Sequence, residues 1–96
     1  MPAYLIVTRE GPMREPAEME EYQRQTRKMS GDFKLTPLAV HGAIHGLEGT
    51  APEAVVLLQF PTVEDARAWY GDPVYQAALQ HRLKSADWRA IIVEGL

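Results

Sequence analysis

The stretch AVVLLQF, Ala54 to Phe60, constrains this chain more than any other, because its apolar residues do not alternate with polar ones. Successive side chains of an extended strand point to opposite faces. Ala54, Val56, Leu58 and Phe60 therefore face one way, and Val55 and Leu57 the other. A second stretch, WRAIIVEG from Trp88, repeats the pattern, with Ala90 and Ile92 opposed to Ile91 and Val93. Both strands need cover on both sides. A sheet with helices on one face covers only that face, and an apolar patch left on the other marks an interface, most often a twofold homodimer; a monomer whose long loops cover that face is the alternative.

The rest of the chain supplies such a sheet and its helices. AYLIVTR, Ala3 to Arg9, is β-branched and aromatic and is stopped by Gly11-Pro12, which predicts a first strand. In EPAEMEEYQRQTRKMSG, Pro16 fits a first helical turn, and Met19, Tyr22, Thr26 and Met29 recur at helical spacing. Glu15, Glu18, Glu20 and Glu21 lie near the start, with Arg24, Arg27 and Lys28 near the end, as the helix dipole favours, and Gly31 is the expected stop.

LAVHGAIHG follows, with glycines at 42 and 46 that would cost a helix roughly 2 kcal/mol relative to alanine. It is expected to be a second strand ending near Leu47. After the third strand and Pro61, Thr62 with Asp65 forms a capping-box-like start for VEDARAWY, which Gly71 closes. Asp72 then caps PVYQAALQHRLK with Pro73 at its first position, and Val74, Ala77, Ala78 and Leu79 are its expected apolar contacts. WRAIIVEG is the fourth strand. The order is β-α-β-β-α-β with the second helix split, which predicts an α+β, ferredoxin-like fold: a four-stranded antiparallel sheet with helices on one face. A length of 96 residues predicts one domain spanning 1–96.

Charge and composition narrow the partners. Ten basic residues are scattered among thirteen acidic ones, for a net charge of −3, with no stripe of the kind phosphate binding requires, so nucleic acid is not an expected partner. AVVLL is far too short an apolar run to span a bilayer, so no membrane partner is expected. The chain has no cysteine, so disulfides, thiolate chemistry and Cys-ligated metals are excluded. MPAYLIVTRE has no basic start followed by a long apolar region, and a cytoplasmic home is expected.

The block LLQFPTVEDARAWYGDPVYQAALQHRL resembles the family of small proteins known as domain of unknown function 1330, within the dimeric α/β-barrel (ferredoxin-like) superfamily. The family pattern is matched at Phe60, Pro61, Thr62, Glu64, Ala66, Trp69, Tyr70, Pro73, Tyr75 and Arg82, and the ending IIVEGL is similar to its last strand. The resemblance implies a dimeric α/β barrel. Relatives in the superfamily include cofactor-independent isomerases, lyases and monooxygenases acting on small molecules, and proteins with no known chemistry. One departure stands out: where the family usually has Arg-Gly-Gly in the second strand, this chain has His41-Gly42-Ala43.

His41 and His45 lie four residues apart. On a strand that spacing is ~13 Å, too far for one ion with ligands at about 2 Å to bridge, and no metal or cofactor is expected. His41 alone, expected in mid-strand facing a dimer cavity, is the candidate acid or base; a histidine satisfied by backbone or water is the plainer alternative. His45 is expected to be solvated. Arg82 has a planar fork suited to a carboxylate, or it could hold Asp72, Asp65 or a C-terminal carbonyl. Trp69, Tyr70, Tyr75 and Tyr22 either line an aromatic pocket or pack the core. Gln59, Tyr4 and Thr8 are polar tips in apolar strands, which line a cavity or find buried partners.

The expected function is a small homodimer that binds an organic ligand, aromatic or carboxylate-bearing, beside the sheet near His41, Tyr22, Gln59, Trp69, Tyr75 and Arg82. The alternatives are a cofactor-independent enzyme using His41 as proton shuttle, and a purely structural dimer with a filled interior.

Overall fold

A computed structural model describes residues 1–96. The elements are β1 (Ala3–Arg9), α1 (Pro16–Thr26), β2 (Thr36–Val40), β3 (Ala54–Phe60), α2 (Val63–Tyr70), α3 (Pro73–Ser85) and β4 (Trp88–Glu94). The strands form one antiparallel sheet in the order β2-β3-β1-β4, with the long β1 and β3 at its centre. This is the ferredoxin-like α+β arrangement. The sheet is open, with β2 and β4 as its edges, so the chain by itself does not close the barrel that the superfamily resemblance implied. No helix is long and apolar enough to cross a membrane.

The helix starts follow from their capping residues. Thr62 Oγ1 accepts from the Asp65 backbone N–H at 3.1 Å and donates to the Asp65 carboxylate at 2.9 Å, which closes the first turn of α2. Asp72 Oδ2 accepts from the N–H groups of Val74 and Tyr75 at the start of α3. Each such cap is worth about 1 kcal/mol, and the one at Asp72 fixes where α3 begins after the break.

Three expectations need correction. The first helix ends at Thr26, short of Gly31. Thr26 Oγ1 donates to the Gln23 carbonyl, and the N–H groups of Lys28 and Met29 bond three residues back, so the last turn tightens and the chain leaves the helix. The second strand ends at Val40, not near Leu47. His41 has φ +55°, in the left-handed region that strand geometry does not allow, and residues 41–53 run as irregular chain. His41 is therefore not a mid-strand residue facing a dimer cavity, although its N–H still bonds the Val55 carbonyl at 3.0 Å. Val74 and Ala77, expected as packing contacts, are exposed; Tyr75, Ala78, Leu79, Arg82 and Ser85 are the buried positions of that helix.

The two sides of the sheet differ. On one, Leu5, Val7, Leu58 and Phe60 form the core with Ala66 of α2, and Phe33, Val56, Trp69, Trp88 and Ile92 pack against it. On the other, strand register places Ile6 between Leu57 and Ile91, Tyr4 between Gln59 and Val93, and Thr8 between Val55 and Arg89. No helix covers that second side, and Ile91 and Val93 are 58% and 44% exposed.

Candidate functional site

Helix α1 buries none of its residues. It packs against α3 instead of lying on the sheet, and the gap beneath it is a cavity of about 320 Å³. The floor is Val7, Val56, Leu58 and Trp88; the roof is Met19, Tyr22, Gln23 and Thr26 of α1 with Tyr75 and Arg82 of α3; Trp69, Leu35, Val40 and His41 close the sides. A second recess of about 310 Å³ adjoins it at Met19, Gln23, His41 and Trp88 and is edged by Arg9 and Glu53.

Arg82 is the one permanently charged side chain on that lining and is only 3% exposed. It reaches none of the partners considered for it: no salt bridge involves it, and its Nε and Nη1 are buried without a hydrogen-bond partner. Its guanidinium carbon lies 5.7 Å from the centre of the Tyr22 ring and 5.1 Å from that of Trp88. Trp88 is itself held, since its Nε1–H donates to Ser85 Oγ at 3.2 Å, and Ser85 donates to the Arg82 carbonyl at 2.6 Å. Cation–π attraction offsets part of the cost of burying the charge, at roughly 0.5–2 kcal/mol per ring. The desolvation penalty of an unpaired ion is several kcal/mol.

The neighbouring residue shows what a satisfied polar group looks like here. His81 Nδ1 lies 2.6 Å from Glu18 Oε2, and its Nε2 lies 3.2 Å from the Gln25 amide nitrogen. With Nδ1–H donating and Nε2 accepting, a neutral ring uses both nitrogens. The amide of Gln25 also donates to Glu21. Hydrogen bonds from Arg24 and Gln25 hold the Glu21 carboxyl below the usual carboxylate range. His81 thus ties α3 to α1 with both ring nitrogens engaged, while Arg82, one residue on, leaves Nε and Nη1 without a partner.

Tyr22 and Tyr75 meet at the same end of the cavity, their hydroxyl oxygens 3.0 Å apart and their rings edge to face at 6.0 Å. Tyr75 also stacks on Trp69 at 4.2 Å, and Trp69 leans on Phe60 at 6.1 Å. Burial raises the Tyr22 pKa far above the ordinary phenol value; Tyr75 adds to the effect and the Arg82 cation opposes it. The phenol stays protonated.

Of the residues singled out in the sequence, Tyr22, Trp69, Tyr75, Arg82 and His41 line one cavity. Gln59 does not: it sits on the uncovered side of the sheet, opposite Tyr4 and Thr36. His41 is exposed, at the seam between the cavity and the adjoining recess, and His45 is exposed in the following loop. Trp88, Ser85, Met19 and Gln23 escaped sequence reading. Trp88 carried a usable signal, an indole opening an otherwise aliphatic strand; the others carried none.

The family described as Domain of unknown function (DUF1330) matches residues 2–96. No curated protein matches the chain. Among solved structures, a protein of unknown function from Rhodopseudomonas palustris is similar with a TM-score of 0.65 and 18% identity, over 99% of this chain and 82% of that one. A dimeric ferredoxin-like protein of unknown function from Jannaschia sp. CCS1 has a TM-score of 0.66 and 14% identity, over 99% of this chain and 100% of that one. An ethyl tert-butyl ether D (EthD) family protein from Bacillus halodurans has a TM-score of 0.63 and 20% identity, over the whole of both chains. At these identities the likeness is one of fold.

Proposed function

The chain belongs to the DUF1330 family, and from that premise we propose that it is a single-domain homodimer whose subunits each bind a small organic acid in the cavity beneath α1. The observation that carries this reading is Arg82, a buried guanidinium without a partner in an apolar, aromatic-lined space. A ligand carboxylate is the natural complement, because charge-assisted hydrogen bonds to it replace the hydration that burial removed. The cavity itself speaks against a purely structural dimer, for which a filled interior was expected.

The dimer follows from the uncovered side of the sheet, where Ile6, Leu57, Ile91 and Val93 form an apolar ladder across three strands. Stacking two such faces removes both from water, and it would complete a barrel that one chain leaves open. The Jannaschia neighbour, described as dimeric, is consistent with this arrangement.

Thermal-shift and calorimetric titration with benzoate, phenylacetate and cyclohexanecarboxylate tests the binding reading. Saturable binding that raises the melting temperature is expected, and its loss in Arg82→Met. A panel of small acids without any effect on the wild-type protein refutes it.

A second reading rests on His41, whose left-handed backbone sets an imidazole at the cavity edge. There it would exchange a proton with a ligand anchored at Arg82, without a cofactor. His41→Ala then abolishes turnover of any substrate found and leaves its binding intact; unaltered turnover refutes the role.

A further inference from the structure

The polar end of the cavity has a composition that narrows its ligand further. Two hydroxyls that share one hydrogen bond use only one of their two protons, so the Tyr22–Tyr75 pair keeps one O–H without an acceptor. Tyr75 is 1% exposed, whereas Tyr22 is half-buried and has Arg82 over its ring. Tyr75 donating to Tyr22 leaves the free proton on the hydroxyl nearer the ligand space. Arg82 lines the same end, its guanidinium carbon 5.7 Å from the Tyr22 ring centre, with Nε and Nη1 buried and without a partner. No Asp or Glu lines this cavity, and Arg82 is its single permanent charge. That end offers donors and one positive charge, and no carboxylate to receive a donor in return.

The remaining walls are apolar: Val7, Val56 and Leu58 from the sheet, with Met19, Trp69 and Trp88 around them. At about 320 Å³ the space falls at the small end of the ~300–1,000 Å³ range of small-molecule sites, a volume for one ring and its acid group.

Resting on the acid-binding reading above, we propose that Tyr22 is the second donor of a carboxylate site centred on Arg82, and that the ligand is a single-ring aromatic monocarboxylate bound as the anion. A second ionised group beside the first would be buried with no partner. An amide would turn N–H groups toward donors, and an amine would meet the guanidinium charge. The aromatic body is favoured over a saturated one because it adds ring-to-ring contact with Trp69, Tyr75 and Trp88 to ordinary apolar burial.

Calorimetric titration of the wild-type protein with benzoate, cyclohexanecarboxylate, benzamide, benzylamine and phthalate, each at the same pH and salt, tests this without any variant. Benzoate is expected to bind several-fold more tightly than cyclohexanecarboxylate and at least about tenfold more tightly than benzamide, with no heat of binding from benzylamine or phthalate. In Tyr22→Phe, benzoate affinity falls roughly tenfold and the benzoate-to-benzamide preference shrinks, while Tyr75→Phe changes benzoate affinity by about twofold. A packing role for Tyr22 would not move that preference ratio.

Equal binding of benzoate and phthalate or benzamide, a saturated acid that matches benzoate, or wild-type affinity in Tyr22→Phe would overturn this proposal and leave the acid-binding reading standing. Failure of every acid to bind the wild-type protein removes both.

Discussion

The two faces of the sheet are made from the same strands and differ in what they leave unfinished. On the helix side the sheet has a packed core with Ala66 of α2, and in the cavity beside it a single cation lacks its partner. On the open side no buried polar group is unsatisfied, and an apolar surface lacks its cover. The missing complement differs accordingly. An unpaired buried charge calls for a small ion of opposite sign, which can enter a narrow cavity. An uncovered apolar ladder calls for another large, flat, apolar surface. One chain can therefore carry a ligand site and an assembly face on opposite sides of one sheet without interference between them.

The strongest way to break this contrast is to place a charge on the open face. Ile91→Asp puts a carboxylate at the edge-strand end of the ladder, opposite Ile6. Light scattering is expected to report the mass of two chains for the wild-type protein and of one for this variant, with benzoate binding retained. A dimeric Ile91→Asp would mean that this face is not the interface.

Next in size is the effect of removing the cation. Arg82→Met keeps most of the volume and removes the unpaired charge, so carboxylate binding should disappear while the unliganded protein becomes more stable. A gain of about 1 kcal/mol would raise the melting point by ~4–8 °C for a domain of this size. A large loss of stability would show that Arg82 serves the fold and needs no ligand.

A smaller effect is expected at alkaline pH. The folded-state pKa of Tyr22 lies above its unfolded value. Its stabilising contribution is complete below pH ~10, where both states are protonated. Above that the unfolded chain ionises while the folded one keeps its proton, so stability falls as pH rises toward the folded value. Between pH 10 and 11 the wild-type protein should lose on the order of 1 kcal/mol more than Tyr22→Phe, read from urea midpoints. Identical slopes would place the Tyr22 hydroxyl in water.

The least effect should come from the satisfied cluster. Glu18→Gln weakens its bond to His81 at a half-exposed site. It should lower stability by less than about 1 kcal/mol, measured by thermal unfolding, and leave benzoate binding unchanged.

What could be read along the chain was whatever depends on near neighbours. The β1, β3 and β4 strands, the caps at Thr62 and Asp72 and the break at Gly71 rest on alternation and on residues within four positions of one another. Two boundaries misled because a competing local bond was invisible: the Thr26 hydroxyl closing on Gln23 shortened α1, and the left-handed His41 cut β2. The candidate site was half legible. Aromatic residues and an arginine at helical spacing marked Tyr22, Trp69, Tyr75 and Arg82; alternation set Gln59 on the face of Val55 and Leu57, but not which face the helices would cover.

The sequence by itself determined the order of elements, the face each strand residue takes and the surplus of apolar surface on β3 and β4, because these follow from backbone periodicity. Only the tertiary structure decided that α1 stands away from the sheet, that the helices and the cavity lie on the face opposite Gln59, and that Arg82 finds no carboxylate while His81 beside it finds Glu18. Those outcomes depend on which side chains meet across distant elements, and pairing of that kind is set by the packing of α1 on α3 and by the gap they leave above the sheet.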